Sequence, residues 1–329
     1  MLTDMLQRLF ERNLDVAAQA RARAGEWLPE LWAEIAEMGL PLALLSEEQG
    51  GFGLSPAEAG EALRMLGSFA VPLPVAETMA ANRLLAGAGL PLAEGAAGLA
   101  VGCDVTLKDG RLTGSVARVA WAGKLDCLAL AVGDTLYRVP RSGWAIAGTG
   151  HALTGHPRDT IAIDWPITDS AALPHDALAE GATVRAFQIA GALEAALDLT
   201  LEHTGTRVQF GKPLSKFQAV QHELAKLAGE LACATAAADL AAEALARGDI
   251  AGVAAGSLRA REAAGNGAAI ATQMHGAIGF TREHRLHLYT TALWSWRDEF
   301  GGQVHWAKSL GKAALDAGAE GYWPMVTSL

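Results

Sequence analysis

Two segments of the chain concentrate side chains of the kinds that hold a charged ligand. The first, RVQFGKPLSKFQAVQHELA from Arg207 to Ala225, breaks a helical pattern at Gly211 and Pro213. Arg207 offers a planar, permanently charged fork of donors suited to a pyrophosphate, and Gln209 and Gln218 offer amides suited to a ribityl chain or an adenine. A lone arginine at a turn is more commonly a salt-bridged surface residue. The second segment, QMHGAIGFTREHRLHLY from Gln273 to Tyr289, crowds glycines, histidines and charges together. His287 falls three residues after His284 and four after Glu283, spacings that share a helix face. Their spacing is not HExxH and the sequence supplies no third ligand, so the reading is structural hydrogen bonding and no metal. The GGFG run at Gly50 to Gly53 lacks a preceding strand, the GxGxxG spacing and a P-loop lysine, which argues against a phosphate cradle.

Those segments sit in a chain whose texture changes twice. From Leu6 to about Leu90 the apolar residues fall at helical spacing, as in Leu28, Leu31, Trp32, Ile35 and Met38 before a stop at Gly39. Ser55 and Pro56 form a cap and first-turn pair for the next helix. Between Gly98 and Asp169, β-prone runs such as LALAVG, TLYRVP and TIAIDWPI alternate with the turn signals KDG, VGD and RSG. The helical period returns over Val184 to His203, Phe217 to Arg247 and Ile250 to Met274, with Gly248 and Asp249 between the last two. The expected fold is α+β and mainly α. A helical N-terminal domain covers 1–97, a small antiparallel β domain 98–175 and a C-terminal four-helix bundle 176–329. Repeated βα units are absent, which excludes a Rossmann domain.

The two segments together resemble the acyl-CoA dehydrogenase family closely. The N-terminal pattern of Trp32, Glu34, Ile35, Gly39 and Leu40 followed by EEQGGFG is similar to the family's helix and glycine loop. The resemblance thus spans most of the chain, and it implies the same three-part architecture with FAD held between subunits. In the family, the stretch matching Gln273, Met274, His275, Gly276 and Ala277 receives the adenosine diphosphate part of FAD from a neighbouring subunit. The small Gly276 and Ala277 let backbone approach the ligand there. Arg207, Gln209, Phe210, Phe217 and Gln218 match the partner side of that contact. Ala277 replaces a common glycine, and Phe217 falls where some relatives carry a polar side chain.

The family reaction removes a proton next to a thioester and passes hydride from the next carbon to the flavin, so it needs a carboxylate base with a raised pKa. An ungapped count from Gln273 places the family's glutamate on Phe300, with Glu299 as its neighbour. Two roles stay open for Glu299: the base, among Trp294, Trp296 and Trp306, or an acid that with Asp298 favours the positive N-terminus of a last helix beginning at Gly302. The alternative family position of the base, before Arg185, holds Val184. The segments that cover the flavin ring in the family are replaced by AEGAAGLAVGCD and SVARVAWAGKLD, with Trp121 in the second. The chain is also several tens of residues shorter than typical members.

The resemblance therefore implies one of two functions. One is a FAD-dependent acyl-CoA dehydrogenase acting on an acyl-CoA and passing electrons to an electron-transfer flavoprotein. The other is a non-catalytic subunit completing FAD binding for a related chain, the part short members play in mixed oligomers of sterol side-chain breakdown. A flavin oxidase or monooxygenase on the same scaffold is a third reading, with no sequence feature in its favour. A homo-oligomer or a heterotetramer is expected, since the bundle helices are too apolar for a lone monomer.

Composition narrows the classes further. With 329 residues and a net charge of −10, a nucleic-acid surface is not expected. No apolar run reaches the roughly 20 residues a bilayer needs, and the acidic N-terminus is no secretory signal. Cys103, Cys127 and Cys233, odd in number and without a CxxC pair, read as buried reduced thiols of a cytoplasmic protein.

Overall fold

A computed structural model of the chain describes residues 2–102 and 104–328, and Cys103 lies outside them. The chain divides into two compact units. The first runs to residue 62 and resumes over 71–181, and the second comprises 63–70 and the chain from 182 onward.

The first unit begins with α1 (Leu2–Asn13), α2 (Val16–Arg23) and α3 (Pro29–Glu37). After α3 the chain turns at Gly39, whose φ of +70° suits glycine. Next come α4 (Pro56–Ser68), which runs on into the second unit, and α5 (Val75–Gly87). Ser55 caps α4 as a capping box: its hydroxyl and amide donate to the Glu58 carboxylate at 2.7 and 3.0 Å, and the Glu58 amide donates back to Ser55 Oγ.

The strands follow as β1 (Ala97–Val101), β2 (Asp104–Lys108), β3 (Arg111–Ala120), β4 (Cys127–Val132), β5 (Thr135–Pro140), β6 (Trp144–Gly148), β7 (Arg158–Pro166) and β8 (Ser170–Ala172). They form two four-stranded sheets, ordered β1-β4-β5-β8 and β2-β3-β7-β6. The KDG signal makes the β2–β3 hairpin: Asp109 and Gly110 both have positive φ, as a tight primed turn requires. Pairing is antiparallel throughout except for β1 and β4, which run parallel. That departure from the expected pattern has a topological cause. The chain leaves β1 to build the β2–β3 hairpin of the other sheet and only then returns to β4, so β1 and β4 are joined by a crossover rather than a turn. Leu112, Ile161 and Ile163 of one sheet and Leu128, Leu130 and Val139 of the other share one core.

The second unit is helical. It contains α6 (Ala177–Thr206, in this unit from 182), a short β9–β10 hairpin (Val208–Gln209 and Lys212–Pro213), α7 (Gln218–Arg247), α8 (Ile250–His275), α9 (Leu286–Trp296) and α10 (Gly302–Ser328). Gly248, at φ +70°, ends α7, and the Asp249 carboxylate caps α8 through the Gly252 amide at 3.0 Å. Helices α6 to α9 share one core dominated by alanine, with Leu193, Leu227, Leu286, Leu293 and Trp296 as its large members. Small side chains let backbones approach closely: a Cβ on Gly256 would overlap the Ala237 carbonyl. Helix α10 packs on α8 and is broken at Gly318, which has φ +65° and ψ −176°.

Among the described residues no helix is long and apolar enough to cross a membrane. Cys127 is buried, and burial pushes its thiol up to about 11, whereas Cys233 is exposed. The first is thus a small core hydrophobe, and the second departs from the buried-thiol reading.

Candidate functional site

The end of α9 and the start of α10 carry the acid singled out in the sequence. Glu299 is 9% exposed and faces Arg185 of α6, which is 2% exposed. The Nε and Nη2 of Arg185 both donate to Glu299 Oε2, at 2.8 and 2.7 Å. Arg185 Nη1 donates to Gln188 Oε1, and the guanidinium lies 5.4 Å from the Phe300 ring centroid and 5.9 Å from that of Trp296. Phe300 adopts φ +50°, a strained value for an aromatic residue, and its carbonyl accepts from Trp306 Nε1 at 3.0 Å.

A second buried arginine holds the backbone of the same turn. Arg261 of α8 donates through Nη2 to the carbonyls of Glu299 at 2.8 Å and Phe300 at 3.1 Å, and through Nη1 to Ser257 at 3.1 Å. Burial, with Arg185 nearby, lowers its pKa to about 10, which leaves it charged at neutral pH. One cation thus binds the carboxylate and a second holds the backbone beside it. The electrostatic effect on Glu299 is to favour its ionised form, opposite to what apolar surroundings would do. Asp298 stays exposed, 3.7 Å from Arg297. Trp294 is half-buried against the bundle core, while Trp296 and Trp306 are buried.

The other sequence candidates lie at the ends of the bundle helices. Arg207, Gln209 and Phe210 are exposed in the turn after α6, with Phe210 at 92%. Phe217 is half-buried, edge-on to Phe210 with ring centroids 6.2 Å apart and with Lys212 Nζ 4.4 Å from its ring centroid, and Gln218 is exposed. At the end of α8, Gln273, Gly276 and Ala277 are exposed and Met274 is half-buried. Gly276 has φ +63°, and a Cβ there would meet open space, so the glycine answers a backbone demand rather than a crowded one.

His275 turns inward. It is 5% exposed, its Nδ1–H donates to the Ala271 carbonyl at 2.8 Å, and its ring stacks on His203 with centroids 4.5 Å apart. A ligand lying on the exposed face of this segment would meet its backbone, not its imidazole. His284 stands 4.6 Å from it, centroid to centroid. Burial first, and the neighbouring histidines after it, lower the His275 pKa to about 4, and His203 and His284 are lowered as well, again chiefly by burial. All three rings are therefore favoured neutral near neutral pH. The structure thus groups His284 with His203 and His275 rather than with Glu283 and His287; His287 Nδ1 instead donates to the His284 carbonyl at 2.8 Å.

Residues 1–91 match the acyl-CoA dehydrogenase N-terminal domain and residues 172–295 the acyl-CoA dehydrogenase C-terminal domain. The acyl-CoA dehydrogenase IpdE2 of Mycobacterium tuberculosis is 31% identical over 305 residues, which is 88% of each chain. The chain belongs to the acyl-CoA dehydrogenase family. Its fold is also that of two solved structures. The Tcur3481-Tcur3483 steroid ACAD G363A variant superposes with a TM-score of 0.86 at 23% identity, covering 97% of this chain and 98% of the other. The ChsE4-ChsE5 complex from Mycobacterium tuberculosis superposes at 0.81 and 21% identity, covering 96% of each.

Within this oxidoreductase family the buried cluster of Arg185, Arg261 and Glu299 is what residue-by-residue reading missed. Arg261 did carry a signal. It stands with the buried Ala264 and Ala268 at helical spacing on α8, where a charge must be paired or hydrogen-bonded. His203 carried none, because its partners lie some 70 and 80 residues away in sequence. Trp121, noted for its place in the flavin-cover region, is buried, with Nε1 donating to the Pro72 carbonyl at 2.9 Å.

Proposed function

We propose that this chain takes part in the FAD-dependent α,β-dehydrogenation of an acyl-CoA thioester as one half of a mixed oligomer, completing the flavin site of a related chain that carries the catalytic base. The observation that carries this reading is the Arg185–Glu299 pair. A base for this reaction needs a carboxylate whose proton affinity is raised, and Glu299 instead receives two hydrogen bonds from a buried guanidinium on one oxygen. Val184 offers no substitute at the other position. The likeness to the ChsE4-ChsE5 complex and to the Tcur3481-Tcur3483 steroid ACAD, both named as pairs, supports the same reading and favours a bulky acyl group.

The residues present fit the adenosine diphosphate part of FAD. Arg207 offers its guanidinium at an exposed turn, Gln209, Gln218 and Gln273 offer exposed amides, and Gly276 presents its backbone with open space where a side chain would stand. Bound FAD supplies the hydride acceptor, and an electron-transfer flavoprotein receives the electrons. The chain's own residues anchor the nucleotide end of the cofactor and hold the bundle surface on which the related chain docks.

A self-sufficient dehydrogenase with Glu299 as base is the second reading. Its support is the burial of Glu299, which would raise the proton affinity of a carboxylate released from Arg185.

The test of the FAD contact is Arg207→Ala in the assembled complex. Loss of a charge-assisted contact to a pyrophosphate is expected to weaken flavin retention by about tenfold or more, measured by released flavin per complex. Full flavin content in the variant would remove Arg207 from the site.

A further inference from the structure

We propose that His203, His275 and His284 form a binding site for one divalent transition-metal cation of the zinc, cobalt and nickel class. The three residues come from the last turn of α6, the end of α8 and the turn before α9, and each offers a ring nitrogen within 4.8 Å of the others. The site does not depend on who owns the base.

The central ligand is preset. His275 Nδ1–H is committed to the Ala271 carbonyl, which fixes the tautomer and leaves the lone pair on Nε2. That Nε2 is buried and has no hydrogen-bond partner. The Leu199 carbonyl also acts on the ring, in the direction that favours its protonated form. A buried nitrogen lone pair left unsatisfied carries a cost that coordination would remove.

The other two ligands can adjust. Zinc–nitrogen bonds of about 2.0–2.1 Å in a tetrahedral centre place ligand nitrogens about 3.3 Å apart, so the rings must close by roughly 1.5 Å. His203 and His284 are half-buried at a helix end and in a turn, and His203 must turn out of its stack on His275, where the ring planes are 19° apart, to aim a lone pair at the ion. His284 Nδ1 accepts from the Leu286 amide at 3.2 Å. Coordination through its Nε2 would put the ring proton on Nδ1 and give up that contact, so metal binding would be felt in residues 284–286. Glu202 acts on His284 in the direction that favours a cation, while Arg285 on His284 and Arg207 on His203 act against it. Imidazole ligands select zinc, cobalt and nickel over magnesium and calcium, which prefer oxygen. The lowered pKa values of the rings leave them neutral, the form that binds metal.

The experiment is calorimetric titration of the chelator-treated full-length protein with Zn²⁺, in parallel with Co²⁺ followed by its visible absorption. The expected result is one ion per chain, with ligand-field bands of a nitrogen-ligated Co²⁺ centre and no response to Mg²⁺. His203→Gln and His284→Gln should each weaken Zn²⁺ binding by about tenfold or more, since even outer-shell changes have effects of that size. His151→Gln, at an exposed histidine of the first unit, should leave it unchanged. The wild-type Co²⁺ spectrum keeps the test decisive should a variant fold poorly. Absence of stoichiometric binding, or binding that survives both substitutions unchanged in folded protein, overturns the proposal.

Discussion

Glu299→Ala is expected to lower the unfolding free energy by about 3–5 kcal/mol, because it leaves the buried Arg185 guanidinium without its carboxylate. The size follows from the location of the pair. Arg185 is 2% and Glu299 9% exposed, so solvent cannot replace the lost partner. Removing both charges with residues of similar volume, as in Arg185→Leu with Glu299→Leu, is expected to recover most of that loss, since two desolvated ions then vanish together. Arg261 would still hold the carbonyls of residues 299 and 300 in the double variant, so the turn keeps its backbone anchor. Denaturant unfolding of the three variants, with circular dichroism as the probe, checks both statements. A single-variant cost below about 1 kcal/mol would mean that the pair is not structural, and the base reading of Glu299 would regain ground.

The second large effect concerns Gly191. In an exposed helix interior, glycine to alanine stabilises by about 1 kcal/mol. Gly191 of α6 should do the reverse and cost about 3 kcal/mol or more when changed to alanine, at or beyond the upper end of ordinary overpacking. A Cβ there would overlap the Arg64 carbonyl oxygen and crowd the Ser68 amide, and both are backbone atoms that cannot swing aside. Gly67 answers from the other side, since its Cβ would overlap the Gln188 carbonyl. Segment 63–70 therefore lies backbone against backbone on α6, and added volume must lift it away. Thermal unfolding supplies the measurement, with Gly229→Ala as the control: Gly229 is exposed on α7 with nothing near its missing Cβ, and its substitution should raise stability. Equal effects of the two substitutions would refute the close crossing.

What the sequence made legible was mostly local. Ser55 and Pro56 announced α4, Gly248 and Asp249 the break between α7 and α8, and Gly302 the start of α10, because caps and stops are set by the residues that form them. The start of α6 at Ala177, well before the expected Val184, escaped because no strong apolar period marks its first turns. The parallel β1–β4 pair escaped because pairing direction follows chain connection, which composition does not record. The register near Glu299 was fixed by partners 38 and 114 residues away, Arg261 and Arg185. Such contacts are decided by packing of the whole bundle. The exposed candidates Arg207, Gln209, Phe210, Gln218 and Gln273 were legible by type alone.

The central claim is that this chain completes a flavin site without owning the base. The most direct measurement is the absorption spectrum during titration with acyl-CoA thioesters, taken on the chain alone and on the chain co-purified with its related partner. The expected result is no bleaching by the chain alone, whether colourless or yellow, and bleaching of bound flavin in the complex that survives Glu299→Gln. Flavin near one per chain in the protein alone, bleached by a thioester and no longer bleached after Glu299→Gln, would contradict it.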